Sequence, residues 1–148
     1  MDKLPKDLSP HDLAAWLNER IDDGTLMDNL KMRIREAGPE RVIVEAPVGD
    51  GVYALLPFVH AGVMVSLADS AATWATLAAY RGELDENEIP VAVSVSSQIV
   101  GNTQEGVLVA ESTVTHPGRT LMAVSTRVTD GNGRLLALVN STHFVRPR

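Results

Sequence analysis

The sequence has no cysteine among its 148 residues, and it carries a formal net charge of -6. Without cysteine, disulfide bonds, thiolate nucleophiles and cysteine-ligated zinc are excluded, which fits a reducing compartment. The negative charge comes from scattered acids and leaves no basic footprint for nucleic acid or an anionic membrane. The N-terminal stretch MDKLPKDLSPHD also lacks the apolar core of a signal peptide. These absences predict a soluble, cytoplasmic protein without a nucleic-acid or membrane partner.

Common catalytic and metal-binding motifs are missing as well. The four histidines, at positions 11, 60, 116 and 143, do not have the spacing of metal ligands. The chain has no Gly-x-Ser-x-Gly elbow and no phosphate-binding loop. We therefore expect chemistry that needs neither a metal nor a resident cofactor.

The hydrophobic fraction of 45% is sufficient for one globular domain of this length. Near the N-terminus, capping residues and helical apolar spacing predict a helix that starts at Ser9-Pro10 and ends by Gly24. A second short helix is predicted from about Leu26 to Glu36. The prediction is a helical arm over residues 1–39 and a main unit over residues 40–148.

Strand patterns dominate the rest of the chain. Residues 42–46 have a period of two, and Gly49-Asp50-Gly51 predicts a hairpin into residues 52–56. Turn residues separate four later strands, so each is expected to pair with the next in antiparallel fashion. These strands are predicted at residues 91–100, 107–116, 121–129 and 135–145. The order predicts an α+β fold in which an antiparallel sheet of five or six strands wraps around one long helix.

The long helix is predicted over residues 60–80, HAGVMVSLADSAATWATLAAY, where Asp69 is the sole Asp, Glu, Lys or Arg. About 20 apolar residues can cross a bilayer, but the small polar residues, the mid-span acid and the flanking strands favour a buried helix. At helical spacing, one stripe is apolar and a second is small and polar. The apolar stripe contains Met64, Leu67, Ala71, Trp74 and Ala78, and the polar stripe contains Gly62, Ser66, Asp69, Thr73 and Thr76. The polar stripe is expected to face a partner subunit or a ligand.

Spacing alone leaves two interpretations of this helix open. Asp69 could be a structural acid, exposed or hydrogen-bonded by Ser66 or Thr73, or a carboxylate held inside the protein for chemistry. His60 could simply cap the helix, with Gly62 allowing two backbones to approach closely. The same helix start offers free N–H groups and the positive end of the helix dipole, which suit an oxyanion.

At these residues the sequence resembles the hotdog-fold acyl-CoA thioesterases, in particular the PaaI-type branch, which is itself similar to 4-hydroxybenzoyl-CoA thioesterases. The family motif is His-Gly-Gly at the helix start followed by Leu-Ala-Asp-(Ser/Thr)-Ala. This chain has His60-Ala61-Gly62 and then Leu67-Ala68-Asp69-Ser70-Ala71. Gly118-Arg119, the stretch from Thr129 to Leu135 and Thr142-His143-Phe144 also follow the family's closing strands.

The resemblance implies a hotdog fold, a homodimer that joins two sheets edge to edge, often a homotetramer, and active sites at the dimer interface. It implies hydrolysis of an acyl-CoA, with CoA as part of the substrate and not as a cofactor. Asp69 would be the catalytic carboxylate, as a general base on water or as a nucleophile. The Ala61 N–H would polarise the thioester carbonyl beside Gly62, and His60 would position the helix start. Among the arginines near strand ends, Arg119 is the one we single out for CoA.

The sequence departs from the family motif at two positions. The first motif glycine is Ala61, which keeps the N–H but crowds the acyl group, and the asparagine common six residues before the histidine is Ala54. A catalytically weak acyl-CoA-binding hotdog protein is therefore the alternative function. A hotdog dehydratase ranks third, because the expected pattern of a catalytic histidine with an acid is missing. Aryl, short and medium acyl chains all remain open.

Overall fold

The computed structural model describes residue 5, residues 7–82 and residues 88–145. Within these ranges the chain forms three helices and six strands. The helices are α1 (Pro10–Asn18), α2 (Leu26–Asn29) and α3 (Ala61–Ala79). The strands are β1 (Arg33–Ala37), β2 (Val42–Pro47), β3 (Val91–Ile99), β4 (Val107–Pro117), β5 (Leu121–Asp130) and β6 (Leu135–Phe144). The four strands predicted after residue 90 are confirmed to within one residue at each end.

The first helix begins as predicted but is shorter. The Ser9 hydroxyl caps α1 by accepting the Asp12 N–H at 3.2 Å, and Pro10 occupies the first helical position. The helix ends at Asn18 and not near Gly24. The Asn18 amide bonds to both backbone groups of Ile34, donating to the carbonyl at 2.7 Å and accepting the N–H at 2.8 Å. This pair of bonds ties the end of α1 to the sheet.

The second predicted helix is confirmed only over its first turn, and its last residues belong to a strand. α2 is one turn long, Lys31 then adopts a positive φ of 53°, and the chain continues as β1. Ile34 and Ala37 are buried in β1, which pairs with β2. A Leu30–Ile34 spacing of four residues suits a helix. Buried Met32 and Ile34 alternate with exposed Arg33 and Arg35, which also fits a strand, and sheet pairing decides. The sheet therefore extends into the region predicted as a helical arm.

The hairpin predicted after Gly49-Asp50-Gly51 is wrong. Residues 52–56 form no strand, and the described segment makes a single bridge between Tyr53 and Val59. β2 pairs with β1 on one side and with β4 on the other, so no free edge remains for a further strand. The segment leads into α3 instead, with the His60 N–H donating to the Val52 carbonyl at 2.9 Å.

The six strands form one antiparallel sheet in the order β1-β2-β4-β5-β6-β3. The predicted pairing of β3 with β4 is wrong, because β3 lies at the far edge beside β6. The N–H groups of Val100 and Gly101 both donate to the Leu136 carbonyl, at 2.8 and 3.0 Å, which holds the end of β3 against β6. Residues 101–106 then cross to β4.

α3 packs across one face of this sheet, as the sequence predicted. Met64, Leu67 and Ala71 are fully buried, and they form one apolar core with Val44, Leu108 and other sheet residues. Several alanines line the contact, and their small side chains let the helix lie close to the strands. Thr76 of the predicted polar stripe is also buried, with its hydroxyl donating to the Ala72 carbonyl at 2.9 Å. In the described part of the chain, none of the helices has the length and hydropathy needed to span a bilayer.

Candidate active site

His60 caps the start of α3. Its Nδ1 accepts the Gly62 N–H at 2.9 Å, and its carbonyl accepts the Val63 N–H at 2.9 Å. The capping interpretation is therefore confirmed. A Cβ on Gly62 would lie 3.0 Å from the same Nδ1. Gly62 thus allows a close approach of the His60 ring, and not of a second backbone as expected from the sequence.

Capping leaves the Ala61 N–H as a donor. Ala61 is the first residue of α3, so it has no carbonyl one turn earlier in the helix to bond to. Its N–H has no acceptor among the described residues, whereas those of Gly62 and Val63 are both taken up by His60. The residue is exposed, and the positive end of the helix dipole lies here. The helix start therefore presents one accessible N–H to an electron-rich ligand atom.

Asn102 holds the segment that enters α3. Its Oδ1 accepts the N–H of Val59 at 2.9 Å and that of Thr103 at 2.8 Å, and its Nδ2 donates to the Val59 carbonyl at 2.9 Å. The carbonyl of Asn102 accepts from the Arg134 guanidinium, which also bonds the Asp130 carboxylate at 3.2 Å. In the sequence, Gly101-Asn102 is typical of a turn between two strands and does not predict this contact. Nothing local to the sequence indicates that residue 102 meets residue 59.

Asp69 lies on α3, two turns beyond the helix start. Its Oδ1 atom is buried and has no hydrogen-bond partner among the described residues. The hydroxyl of Ser66 donates to the Gly62 carbonyl at 2.8 Å, and no bond within the described ranges joins Thr73 to the carboxylate. Hydrogen bonding of Asp69 by Ser66 or Thr73 is therefore wrong, while the side chain as a whole is partly exposed, as the other structural interpretation expects. A buried carboxylate oxygen without a donor is costly to keep.

His143 is a buried ionisable residue whose pKa responds to the charge of Asp69. It lies on β6, its side chain is fully buried, and its Nε2 is 3.0 Å from the Ser141 hydroxyl. Burial lowers the pKa of His143 below its ordinary value of 6.5, and the negative charge of Asp69 opposes that shift. In the sequence, His143 belongs to Thr142-His143-Phe144, which follows the family's closing strands. The alternating buried positions 139, 141, 143 and 145 place its side chain on the buried face, which is a usable signal.

Within one chain, Ala61 and Asp69 do not meet. They are eight residues apart on a continuous helix, which separates them by about 12 Å along the helix axis. A carbonyl oxygen bound at the Ala61 N–H needs a contact of about 3 Å, and a base must come equally close to the attacking atom. A single copy of the chain therefore cannot bring both groups to one thioester.

Arg119 lies at the opposite end of α3 from His60. It is in the turn between β4 and β5, beside a cleft of about 920 Å³ that Tyr80, Arg81 and Met122 also line. A Cβ on Gly118 would clash with the Leu121 carbonyl, so this turn requires glycine. Of the other arginines near strand ends, Arg134 pairs with Asp130, and Arg146 lies outside the described residues. In the described ranges, no group of three or more His, Asp or Glu side chains is arranged as a metal site.

The β3 edge of the sheet is apolar and open. β3 pairs with β6 alone among the described strands, and Val91, Val93 and Val95 are 51%, 59% and 42% exposed. The opposite edge is different, since β1 is five residues long, contains a bulge and exposes arginines. Short, charged and bulged edges resist pairing with other chains, whereas a long apolar edge invites it.

Comparison with known proteins gives consistent results. The family described as Thioesterase superfamily matches residues 56–137. A Deinococcus radiodurans protein that carries the provisional name esterase is 30% identical over 141 residues, covering 91% of this chain and 84% of that protein. Among solved structures, a thioesterase from Haemophilus influenzae has a TM-score of 0.82 at 19% identity, covering 97% of this chain and 95% of that one.

A further solved structure carries a ligand. A hypothetical thioesterase from Streptococcus pneumoniae, solved with coenzyme A, has a TM-score of 0.69 at 20% identity and covers 79% of this chain and 90% of its own. At these identities the solved structures establish the fold. The predicted architecture, a hotdog fold with one long helix against an antiparallel sheet, is confirmed.

Proposed function

Because the chain belongs to the thioesterase superfamily, we propose that it hydrolyses an acyl-CoA thioester to the free acid and CoA. The observation that carries this proposal is the Asp69 carboxylate. One of its oxygens is buried without a hydrogen-bond donor among the described residues, on the helix that carries the family motif. A purely structural acid would be expected to have its buried oxygen satisfied. A carboxylate oxygen without a donor is free to accept a proton from water or to attack a carbonyl carbon.

Asp69 has two chemically balanced roles in such a reaction. As a general base, it takes a proton from water while the water oxygen attacks the thioester carbon, and the departing thiolate then receives a proton. As a nucleophile, its oxygen attacks that carbon and expels CoA, and water hydrolyses the resulting mixed anhydride. The proposal requires the same ionised Asp69 in both cases.

The Ala61 N–H is the proposed donor to the thioester oxygen. It is accessible, unpaired and placed at the positive end of α3. A donor aimed at the developing oxyanion contributes a few kcal/mol to transition-state stabilisation. His60 supports this role by holding the first turn, with its Nδ1 engaged by Gly62. We therefore assign His60 to positioning and not to proton transfer.

The separation of Ala61 from Asp69 argues for a dimeric site. Since about 12 Å of helix separates them, the donor and the acid at one thioester would come from different subunits. The apolar β3 edge, with Val93 and Val95 exposed, is the proposed dimer contact. A homodimer joined there forms one continuous sheet, and two dimers could assemble further as a homotetramer.

Arg119 is the proposed contact for CoA. The Streptococcus pneumoniae protein of the same fold was solved with coenzyme A, and CoA carries phosphate groups that arginine binds well. Arg119 and Arg81 line the same cleft. Because this cleft lies away from Ala61 in one chain, the long pantetheine arm would have to connect it to the thioester site.

A thiol-release screen over aryl, short-chain and medium-chain acyl-CoAs tests the function. The expected result is turnover of at least one class by the wild-type protein and its loss in Asp69→Asn. The variant Asp50→Asn, which alters an exposed acid in a turn, is the matched control and should keep full activity. Equal activity of wild type and Asp69→Asn on every substrate would contradict the proposal.

The alternative of a weak acyl-CoA-binding protein is favoured by Ala54. This exposed residue, whose N–H donates to the Phe58 carbonyl at 2.8 Å, supplies no side-chain amide near the helix start. Calorimetric binding of a non-hydrolysable acyl-CoA thioether distinguishes the two functions. Binding without thiol release from any substrate would support the alternative. Hydration of an enoyl-CoA, tested in the same assay plate, would indicate a dehydratase.

A further inference from the structure

The turn between β5 and β6 is organised around the carboxylate of Asp130, which is mostly buried. Its Oδ1 accepts the N–H of Asn132 at 2.9 Å and that of Arg134 at 3.0 Å. The backbone closes the turn as well, because the Asp130 N–H donates to the Arg134 carbonyl and the Gly133 N–H donates to the Asp130 carbonyl, both at 3.0 Å. These bonds hold the turn without any contribution from the Arg134 side chain.

The Arg134 side chain links this turn to a second loop. Its Nε lies 3.2 Å from Oδ2 of Asp130, and its Nη2 donates to the carbonyl of Asn102 in the loop that follows β3. The planar guanidinium presents its N–H groups in a fixed arrangement, so the bond to Asp130 also aims the group at Asn102. Because the side chain is 63% exposed, its ion pair with Asp130 contributes little to the stability of the fold.

Asn102 continues this link to the start of α3. Its side-chain amide bonds both backbone groups of Val59, accepting the N–H at 2.9 Å and donating to the carbonyl at 2.9 Å. The next residue is His60, whose carbonyl shares a peptide group with the Ala61 N–H. Since that peptide group is planar, any backbone rotation at Val59 or His60 changes the direction of the Ala61 N–H. The direction of the proposed oxyanion donor therefore depends on how firmly Asn102 is held.

We propose that Arg134, held by Asp130, is a positioning residue for the Ala61 N–H and that it acts through the carbonyl of Asn102. A donor contributes most to catalysis when it is aimed in advance at the developing oxyanion. A displaced N–H therefore loses stabilisation of the transition state more than binding of the substrate. This catalytic role rests on the proposed hydrolysis, whereas the link from Arg134 to the start of α3 does not.

Amide NMR spectra of the substrate-free protein test the link. Arg134→Met removes the guanidinium and keeps a long side chain, and the amide resonances of Val59 and Ala61 should shift. Arg127→Met makes the same substitution at an exposed arginine of β5 that forms none of these bonds, and it should leave both resonances in place. Unchanged resonances of Val59 and Ala61 in Arg134→Met would overturn the proposal.

Steady-state kinetics on the substrates of the thiol-release screen test the positioning role. In Arg134→Met, kcat should fall about tenfold, since small displacements of a catalytic group cost up to about 100-fold. KM should stay within about twofold, and the melting temperature should change little, because Asp130 keeps its two backbone donors. Arg134→Lys keeps a cation without the planar arrangement of donors and should recover part of the lost kcat. Arg127→Met should keep the wild-type kcat.

A double-mutant cycle tests whether Arg134 acts through Asn102. Asn102→Ala keeps the backbone carbonyl that Arg134 binds and removes the side-chain bonds to Val59, so the link is broken one step closer to α3. Arg134→Met should therefore lower kcat about tenfold in the wild-type protein and less than about twofold in the Asn102→Ala protein. Equal factors in the two proteins would show that the residues act independently, against the proposal.

Two further outcomes contradict the positioning role. In the first, Arg134→Met keeps the wild-type kcat. In the second, kcat in Arg134→Met and Arg134→Lys falls in step with the melting temperature, which indicates a purely structural role. If the wild-type protein hydrolyses no substrate of the screen, the proposed hydrolysis fails together with the catalytic role, while the NMR spectra still decide whether Arg134 holds the start of α3.

Discussion

Asp69 is partly buried and has one carboxylate oxygen without a hydrogen-bond donor. A catalytic role and a structural role therefore predict different effects of the same substitution. Asp69→Asn preserves the shape and removes the charge, so kcat should fall on the order of 100-fold or more. The melting temperature should hold or rise, because the variant relieves the burial of a carboxylate without a donor. Measuring kcat and the melting temperature on one preparation distinguishes the catalytic role from the structural role. Full activity in a destabilised Asp69→Asn protein would assign the residue to structure.

His60 gives a second prediction at the scale of single residues. His60→Asn keeps an acceptor for the Gly62 N–H, whereas His60→Ala removes it and should cost about 1 kcal/mol of stability. We expect His60→Asn to keep most of the wild-type kcat, since a cap transfers no proton. Urea denaturation and steady-state kinetics provide the two numbers. A loss of kcat in His60→Asn as large as that in Asp69→Asn would show that the imidazole takes part in the chemistry.

The residues found from the sequence and those missed differ in how they act. His60, Ala61, Gly62 and Asp69 belong to one helix, where spacing alone determines which residues share a face. Asn102 acts through its hydrogen bonds to Val59, which is 43 positions away. No local pattern encodes such a contact. A motif can therefore predict the helix of a site, but not the groups that the rest of the fold brings to it.

At the scale of elements, the start of α3 is held by the loop after β3. Asn102→Ala removes two hydrogen bonds to the backbone of Val59 and should destabilise the protein by about 1–3 kcal/mol. Amide exchange should accelerate at residues 59–63, and kcat should fall because the Ala61 N–H loses its fixed position. Asn140→Ala, at an exposed position on β6, is the control. Unchanged exchange at residues 59–63 would show that Asn102 does not hold the helix start.

Elements with a strong period were predicted well, and so were the β4–β5 and β5–β6 pairings, but the place of β3 in the sheet was not. α3 and the strands from β3 to β6 have long, regular patterns bounded by turn residues. β1 was predicted as helix because five residues are too few to distinguish a period of two from 3.6. The position of β3 beside β6 follows from the crossover of residues 101–106, and composition cannot predict that path. Pairing depends on which edges are free, which is a property of the whole sheet.

At the scale of the whole molecule, the open β3 edge predicts an oligomer. Light scattering at micromolar concentration should give at least twice the chain mass of 15.9 kDa. Val93→Lys places a charge on the exposed edge and should shift the protein toward a monomer with little activity, since one chain cannot bring Ala61 to Asp69. Ala15→Lys adds the same charge at an exposed position of α1 and should change neither property. A fully active monomer would contradict the dimeric site.

Stability should also depend on pH through His143. Burial lowers its pKa in the folded protein, against the attraction of Asp69, so the unfolded chain binds the proton more readily. The stabilisation is therefore complete above pH 6.5, and it is lost as the pH falls from there toward the folded-state pKa. One proton limits the slope to about 1.4 kcal/mol per pH unit. In denaturation curves between pH 7 and 5, His143→Asn should show a shallower decline than the wild-type protein.

The place of β3 in the sheet has a consequence for how the protein is made. β3 precedes its partner β6 in the chain, and both β4 and β5 are synthesised between them. Translation proceeds at about 5–20 residues per second. The valine-rich strand β3 therefore remains unpaired until β6, the last strand, has left the ribosome. The same order of synthesis prevents early association, because the β3 edge at which two copies would meet does not exist until β6 has formed. Incomplete chains therefore cannot present that edge in its paired form, so the proposed pairing of two copies at β3 would follow completion of the chain.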